Sequence, residues 1–321
     1  MQPIRLPTLR NARERLAGTA LRTPLIRLDV DDLLDNGTEI HLKLENLQTL
    51  GSFRVRGAAN ALGLAEAEVQ ERGVVTVSTG NMAQGIVWGA RRMGAPCRVI
   101  VPDHAPVVEL EAIGQLGGEV VAVPFDEWWQ ILESGEVEGD DERLFIHPVS
   151  DRGVMAGHGT IGLEIFEDLP EVDTVIVPFD GGGLSCGIAS ALRALAPNVR
   201  VLASEVETSA PLAPSLEAGE PVTVEHRPSF VDGMGRGSLL GTLWPLAREV
   251  LAGSLVVSPE EVAEAVRLLV QRGRVVAEGA GAMPLAAALK GEAEGEKIVC
   301  VISGGNIDPA VLAAILQGQM P

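Results

Sequence analysis

Apolar positions along the chain recur with two periods. Leu9, Ala12, Leu16 and Ala20 recur at helical spacing among arginines, which predicts an amphipathic helix over residues 7–19. Thr23-Pro24-Leu25 breaks it and leads towards a first strand. Alternation from His41 to Glu45 reads as a strand, and after Gly51-Ser52 a helix opens at Phe53, continuing over residues 58–70 until Gly73. A regular series follows: strand 74–77, helix 81–93 closed by Gly94, strand 97–101, helix 106–116 and strand 119–123. Residues 126–141 are acidic and glycine-interrupted, which reads as a helix plus a surface loop. Phe145-Ile146 then leads into a second series, with strands at 174–178, 199–204, 255–257 and 297–303. Its helices are expected at 154–167, 184–195, 259–271 and 279–289. Ser258-Pro259-Glu260-Glu261 has the capping serine, early proline and following glutamate of a helix start. Strand and helix in alternation predict parallel sheet wrapped by helices, an α/β fold. No repeat of 20–50 residues and no low-complexity linker interrupts it.

Composition narrows the functional classes. A chain of 321 residues, 46% of them apolar, buries a large core and divides into two domains or lobes. Its formal charge of −19 excludes nucleic acid and an anionic membrane surface as expected partners. Of 25 basic residues only Lys43, Lys290 and Lys297 are lysines, so few side chains can supply an amine. Cys97, Cys186 and Cys300 are scattered in apolar runs, without disulfide or zinc spacing. The N-terminus is charged throughout and no run of about 18 apolar residues occurs, so a cytoplasmic protein without a membrane span is expected.

Four stretches carry candidate chemistry. KLENLQTLGSFRVRGA, Lys43–Ala58, is a strand-to-helix turn that aims side chains and backbone N–H groups at a ligand. Ser78-Thr79-Gly80-Asn81 lies between a strand and a helix, where a glycine-containing loop at a helix N-terminus suits an anion. Asp180-Gly181-Gly182-Gly183-Leu184 follows the strand TVIVP, and glycine turns of this kind let N–H groups cradle a phosphate. Ser303-Gly304-Gly305-Asn306 follows the strand KIVCVI. Each also has a plain structural reading: a core Phe53, helix caps by Ser78 or Asn81, a tight glycine turn, a turn with an N-cap.

Together, in order and at similar spacing over most of the chain, these stretches resemble fold-type-II pyridoxal phosphate (PLP) enzymes of the threonine/serine dehydratase and serine racemase branch. The resemblance implies a tryptophan synthase β-like architecture of two domains. Residues 1–73 with 148–321 would form the large cofactor domain and 74–147 the smaller inserted one, with the cofactor in the cleft and no C-terminal regulatory domain. It implies lyase chemistry on a small hydroxy amino acid, by α-proton removal and β-hydroxyl loss to a 2-oxo acid and ammonia, in a homodimer. Phe53 would pack on the pyridine ring, Asn81 would bond its oxygen and Gly181, Gly182, Gly183 and Leu184 would hold the phosphate. Ser303 would bond the ring nitrogen. Ser78, Thr79, Gly80 and Asn81 would take the substrate carboxylate, and Thr79 would stand where racemases carry an acid/base serine. Glu205 resembles the first ligand of a divalent-cation site found in some relatives, although the acidic residue expected a few positions later is missing and Glu207 is the nearest substitute. Glu278 reads as facing the ring or as a helix cap, with the structural role preferred, and His158 as a structural loop histidine.

Two departures matter. Arg54 stands at the Schiff-base lysine position. A guanidinium stays protonated, so it is a poor nucleophile and a poor base. Asp180 stands where the family has the first of four glycines; a carboxylate about 4 Å from a phosphate costs a few kcal/mol at intermediate dielectric, and little if the side chain points to solvent instead. Three readings stay open: a noncatalytic ligand-binding pseudoenzyme, an enzyme of altered mechanism with PLP held noncovalently or absent, and a lysine-to-arginine form of an active dehydratase.

Overall fold

The alternating stretches fold into two separate sheets in a computed structural model, which describes residues 1–34, 37–137, 142–231 and 237–321. From the N-terminus run α1 (Leu6–Leu16), β1 (Leu25–Leu28), β2 (Glu39–Leu44), a 3-10 turn (Glu45–Leu47), α2 (Arg54–Leu64) and α3 (Glu66–Arg72). Next come β3 (Val74–Val77), α4 (Asn81–Arg92), β4 (Cys97–Pro102), α5 (Val107–Leu116), β5 (Glu119–Val123), α6 (Phe125–Ser134) and β6 (Leu144–Phe145). Then follow α7 (Arg152–Asp168), β7 (Thr174–Pro178), α8 (Gly183–Leu195), β8 (Arg200–Val206), α9 (Leu212–Ala218) and α10 (Trp244–Val250). The chain closes with β9 (Gly253–Val257), α11 (Pro259–Leu268), a π-helical turn (Leu269–Gly273), α12 (Gly279–Leu289), β10 (Lys297–Ile302) and α13 (Pro309–Leu316).

One sheet has six strands in the order β1-β2-β10-β7-β8-β9, the other four in the order β5-β4-β3-β6. β1 pairs antiparallel with β2, whereas β2–β10, β10–β7, β7–β8 and β8–β9 are parallel. The four-stranded sheet is parallel throughout. β7 is buried along its whole length and β10 along all but its first residue. That is why both read as continuous apolar runs rather than alternating ones.

Some expectations shift. The helix expected through residue 70 breaks at Ala65, where φ −121 and ψ 30 separate α2 from α3. The helix expected to 271 ends at Leu268 and passes through the π-helical turn, after which Arg274 takes a positive φ of 59. Phe145 belongs to β6, which pairs with β3 and so completes the first series rather than opening the second. α9 and α10, seven residues each, are too short for periodicity to register. The cap at Ser258 is a full capping box with Glu261. Residues 138–141 of the expected acidic loop lie outside the described residues.

Two devices hold α2 in place. The first is close approach to α7: a Cβ on Gly157 would collide with the Arg56 carbonyl, and one on Gly159 would stand 2.8 Å from the Gly187 carbonyl of α8. Only glycine lets these backbones meet. The second is a buried ion network. Arg56 donates to Glu45 through Nε and Nη2, each at 2.8 Å, and to Glu164 through Nη1 at 2.6 Å and Nη2 at 2.8 Å. Lys43 Nζ donates to the same Glu164 at 2.6 Å and to the Thr23 carbonyl at 2.7 Å. Two cations thus balance two carboxylates, all nearly inaccessible to solvent. Burial works against the charge on Arg56, yet Glu45 and Glu164 hold its pKa above the ordinary guanidinium value. Burial likewise opposes the charge on Glu45, and Arg56 outweighs it to hold the carboxyl below its usual range.

Such a network costs most when one member is removed, because the remaining charges stay buried without partners. Arg56→Met should therefore lower the unfolding free energy by about 3–5 kcal/mol in a denaturant titration.

Candidate functional site

The site forms where the turn before α2 meets the end of β10. Gly51 takes a positive φ of 71, and a Cβ there would collide with Asn306. Ser52 and Gly304 form an antiparallel bridge, and the Phe53 N–H donates to the Ser303 carbonyl at 2.9 Å. Gly305 N–H returns a bond to the Gly51 carbonyl at 2.9 Å. The first and fourth sequence motifs are therefore stitched together by backbone, with Phe53 and Ser303 both buried.

Arg54 is the first residue of α2. Its guanidinium carbon lies 4.8 Å from the Phe53 ring centroid, and Nη1 donates to the Pro148 carbonyl at 2.9 Å. Burial lowers its pKa, while the charges of Asp180 and Glu278 act in the opposite direction. The glycine turn is adjacent through the same segment. β7 ends at Pro178, Gly182 takes the left-handed conformation at φ 85, and a Cβ on Gly183 would stand 2.5 Å from the Val149 carbonyl. Gly182 is thus the N-cap of the thirteen-residue α8, whose first N–H groups have no intrahelical partner. Asp180 at the head of this turn is exposed.

The second motif comes from the four-stranded sheet. Ser78, Thr79 and Gly80 are half-buried between β3 and α4. Asn81 Nδ2 donates to both carboxylate oxygens of Glu278, at 3.0 and 3.2 Å, and its Oδ1 accepts from Asn306 Nδ2 at 2.6 Å. Glu278 occupies the N-cap position of α12 but makes no side-chain capping bond to it, which overturns the structural role preferred from sequence. The structure therefore gathers Phe53, Arg54, Ser303, Asn81 and Glu278, with the glycine turn beside Arg54.

His158 is not a loop residue: it lies in mid-α7, fully buried, its ring centroid 4.6 Å from that of Phe53 in an edge-on contact. Both ring nitrogens are without a hydrogen-bond partner. Burial first, then the charges of Arg54 and Arg56, push its pKa well below the usual value. The glycines flanking it in AGHGTIG mark a tight helix crossing, which is the only sequence signal for its burial. Asn306 was legible only as part of a turn. Glu205 does not face an ion site: its carboxylate accepts from the N–H groups of Leu212 and Ala213 at 2.8 and 2.9 Å, capping α9, and from Ser254 at 2.6 Å. Among the described residues no group of three or more His, Cys, Asp or Glu is placed to hold a metal.

None of the lysines brings an amine to this place. Lys43 is committed to the Glu164 network. Lys290 Nζ donates to the Val256 carbonyl at 2.9 Å, and Lys297 Nζ to Glu171 at 2.7 Å. Among the described residues no helix is long and apolar enough to cross a membrane.

Residues 16–304 match the family described as pyridoxal-phosphate dependent enzyme. The chain belongs to that family. It is 38% identical over 318 residues to the L-threonine ammonia-lyase of Thermotoga maritima, covering 98% of this chain and 78% of that protein. It is 38% identical over 311 residues to the catabolic L-threonine dehydratase TdcB of Escherichia coli K12, covering 95% and 94%. The solved structure of maize serine racemase superimposes with a TM-score of 0.88 at 31% identity, covering 98% of this chain and 97% of that one. The fold is that of PLP fold type II.

The residues present fit the phosphate and ring of PLP, since a left-handed glycine turn opens α8 and Phe53 and Ser303 stand side by side. They do not fit covalent attachment, because no lysine amine reaches Arg54.

His158 yields a pH prediction. Its folded-state pKa lies well below the unfolded value of about 6.5, so below that pH the unfolded chain binds the proton first. Its contribution is complete above pH of about 6.5 and falls by up to about 1.4 kcal/mol per unit as the pH drops towards the folded pKa. His158→Leu should remove this slope relative to wild type in denaturant titrations from neutral to acid pH, while His147, also lowered by burial, keeps its own contribution.

Proposed function

We propose that this chain is a threonine/serine dehydratase-like protein that binds a phosphate-bearing pyridoxal ligand noncovalently, with the family's lyase reaction lost, slow or altered. The observation that carries the reading is Arg54, seated on Phe53 at the start of α2 where the resemblance places the reactive lysine. In this reading the N–H groups of Gly181, Gly182, Gly183 and Leu184 hold the phosphate at the α8 N-terminus. Phe53 and Ser303 hold the ring, and Asn81 donates to its oxygen. The loop Ser78–Asn81 takes the amino-acid carboxylate, with the Thr79 hydroxyl on the opposite face. When bound, PLP supplies an electron-withdrawing ring that stabilises charge at the α-carbon of an amino acid. The strands within residues 74–147 form a sheet of their own, which supports assigning that segment as the smaller inserted domain.

Arg54 changes what the protein can contribute. It holds a fixed positive charge beside the Pro148-Val149 segment that packs on the glycine turn, so it adds attraction for a phosphate. It neither forms a covalent link with an aldehyde nor accepts a proton at ordinary pH. Losing a positioned base alone removes about 10²–10⁴-fold of rate. A second reading, a noncatalytic binding protein, is favoured by the electrostatic pairing of Arg54 with Asp180 and Glu278, which offsets the guanidinium charge inside the cleft.

Arg54→Lys tests the main reading. With added PLP the variant should gain a visible absorbance band and form 2-oxo acid from L-threonine or L-serine, at least about 10²-fold faster than wild type. Rapid 2-oxo acid formation by wild type would overturn the reading.

A further inference from the structure

Asn306, Asn81 and Glu278 form a hydrogen-bonded chain whose direction is dictated at both ends. At one end the Leu50 carbonyl accepts from Asn306 Nδ2 at 2.8 Å. A carbonyl only accepts, so it fixes the nitrogen of the Asn306 amide on this side. The same NH2 group donates its other proton to Asn81 Oδ1 at 2.6 Å. That occupies the oxygen of Asn81 and turns its NH2 group towards Glu278. At this far end the carboxylate again only accepts. Flipping either amide would set oxygen against oxygen. Asn81 is therefore presented as a donor, and Glu278 is the oxyanion that receives it.

The position of Glu278 makes this contact unusual. A carboxylate at an N-cap ordinarily bonds the N–H groups of its own helix, yet Glu278 makes no such bond to α12 and reaches to the other sheet's α4. Its carboxylate folds back over Gly304, where a Cβ would collide with it, so the glycine after Ser303 leaves the room it occupies. Its charge is felt by Arg54, which places it on the Arg54 side of the cleft.

We propose that Glu278 is an internal stand-in for a ligand oxyanion at Asn81: its carboxylate holds the donor that an anionic ligand oxygen would take, and must withdraw for that oxygen to bind. This rests on the assignment of Asn81 as a ligand contact made above. The displaced contact is charge-assisted, about twice as strong as a neutral hydrogen bond, so the self-contact is a real competitor. Asn306 keeps Asn81 turned as a donor whichever oxyanion it meets.

Calorimetric titration of purified protein with PLP separates contact from mere charge. Glu278→Gln keeps the reach and removes the charge; Glu278→Asp keeps the charge and shortens the reach by one methylene. Both variants should bind PLP more tightly than wild type, the Gln variant by about tenfold, which corresponds to about 1.4 kcal/mol. Inorganic phosphate, which probes the glycine turn alone, should bind all three proteins within about threefold, the glycine turn being common to them. Tightening in Glu278→Gln but not in Glu278→Asp would reduce Glu278 to a repelling charge and overturn the proposal. So would PLP binding to wild type that neither variant improves. Absence of PLP binding in all three proteins would overturn the ligand assignment of the cleft, and the stand-in with it.

Discussion

The placement of the turn that carries Phe53 and Arg54 depends on how Arg56 is held. Its guanidinium spans Glu45 on the turn after β2 and Glu164 on α7, and Lys43 closes the circuit from the other side. Buried charges tolerate little displacement, because moving one away from its partners exposes the full cost of desolvation. The first turn of α2 is therefore fixed in depth and rotation, and glycine-mediated contact with α7 fixes its distance. Phe53 and Arg54, three and two residues before Arg56, inherit that placement. The geometry at residues 53 and 54 is thus set by the buried ion network beside them.

This separation explains how position 54 can hold an arginine in an otherwise conventional fold. An amine and a guanidinium on stems of similar length begin from the same backbone, yet their chemistry diverges. A buried lysine gives up its proton as its surroundings become less polar; a guanidinium keeps it. Arg54 keeps its charge against burial with help from Asp180 and Glu278, so its neighbours answer a permanent cation. The charges of Arg54 and Asp180 act on each other, so these two positions are not electrostatically independent.

Much of this was legible in the sequence. The strands at 74–77, 119–123 and 174–178 lie where β-branched runs place them, and the capping box at Ser258 follows from spacing alone. The four motifs indicated that turns at 51–54, 78–81, 180–184 and 303–306 belong to one place, and three of these now meet by hydrogen bonds. What was illegible depends on contacts between distant residues. The cap that Glu205 makes on α9 looks like an isolated acidic residue after a strand. His158 falls within the helix expected over 154–167 yet reads as a loop residue, because its burial against Phe53 is a contact between distant residues. The departure of Glu278 from its own helix is invisible to local pattern because its partner lies on the other sheet.

The lysine inventory has a further consequence for the chemistry this molecule offers to reagents. Lys43 is sealed in its ion pair, and Lys297 is partly exposed but held above its ordinary pKa by its bond to Glu171. Lys290 shares its ammonium between a backbone carbonyl and Glu292. Aldehydes and active esters therefore find few competent nucleophiles on this chain. A single amine introduced into the cleft would be chemically addressable against a quiet background, which makes the protein a host for one selectively placed covalent handle.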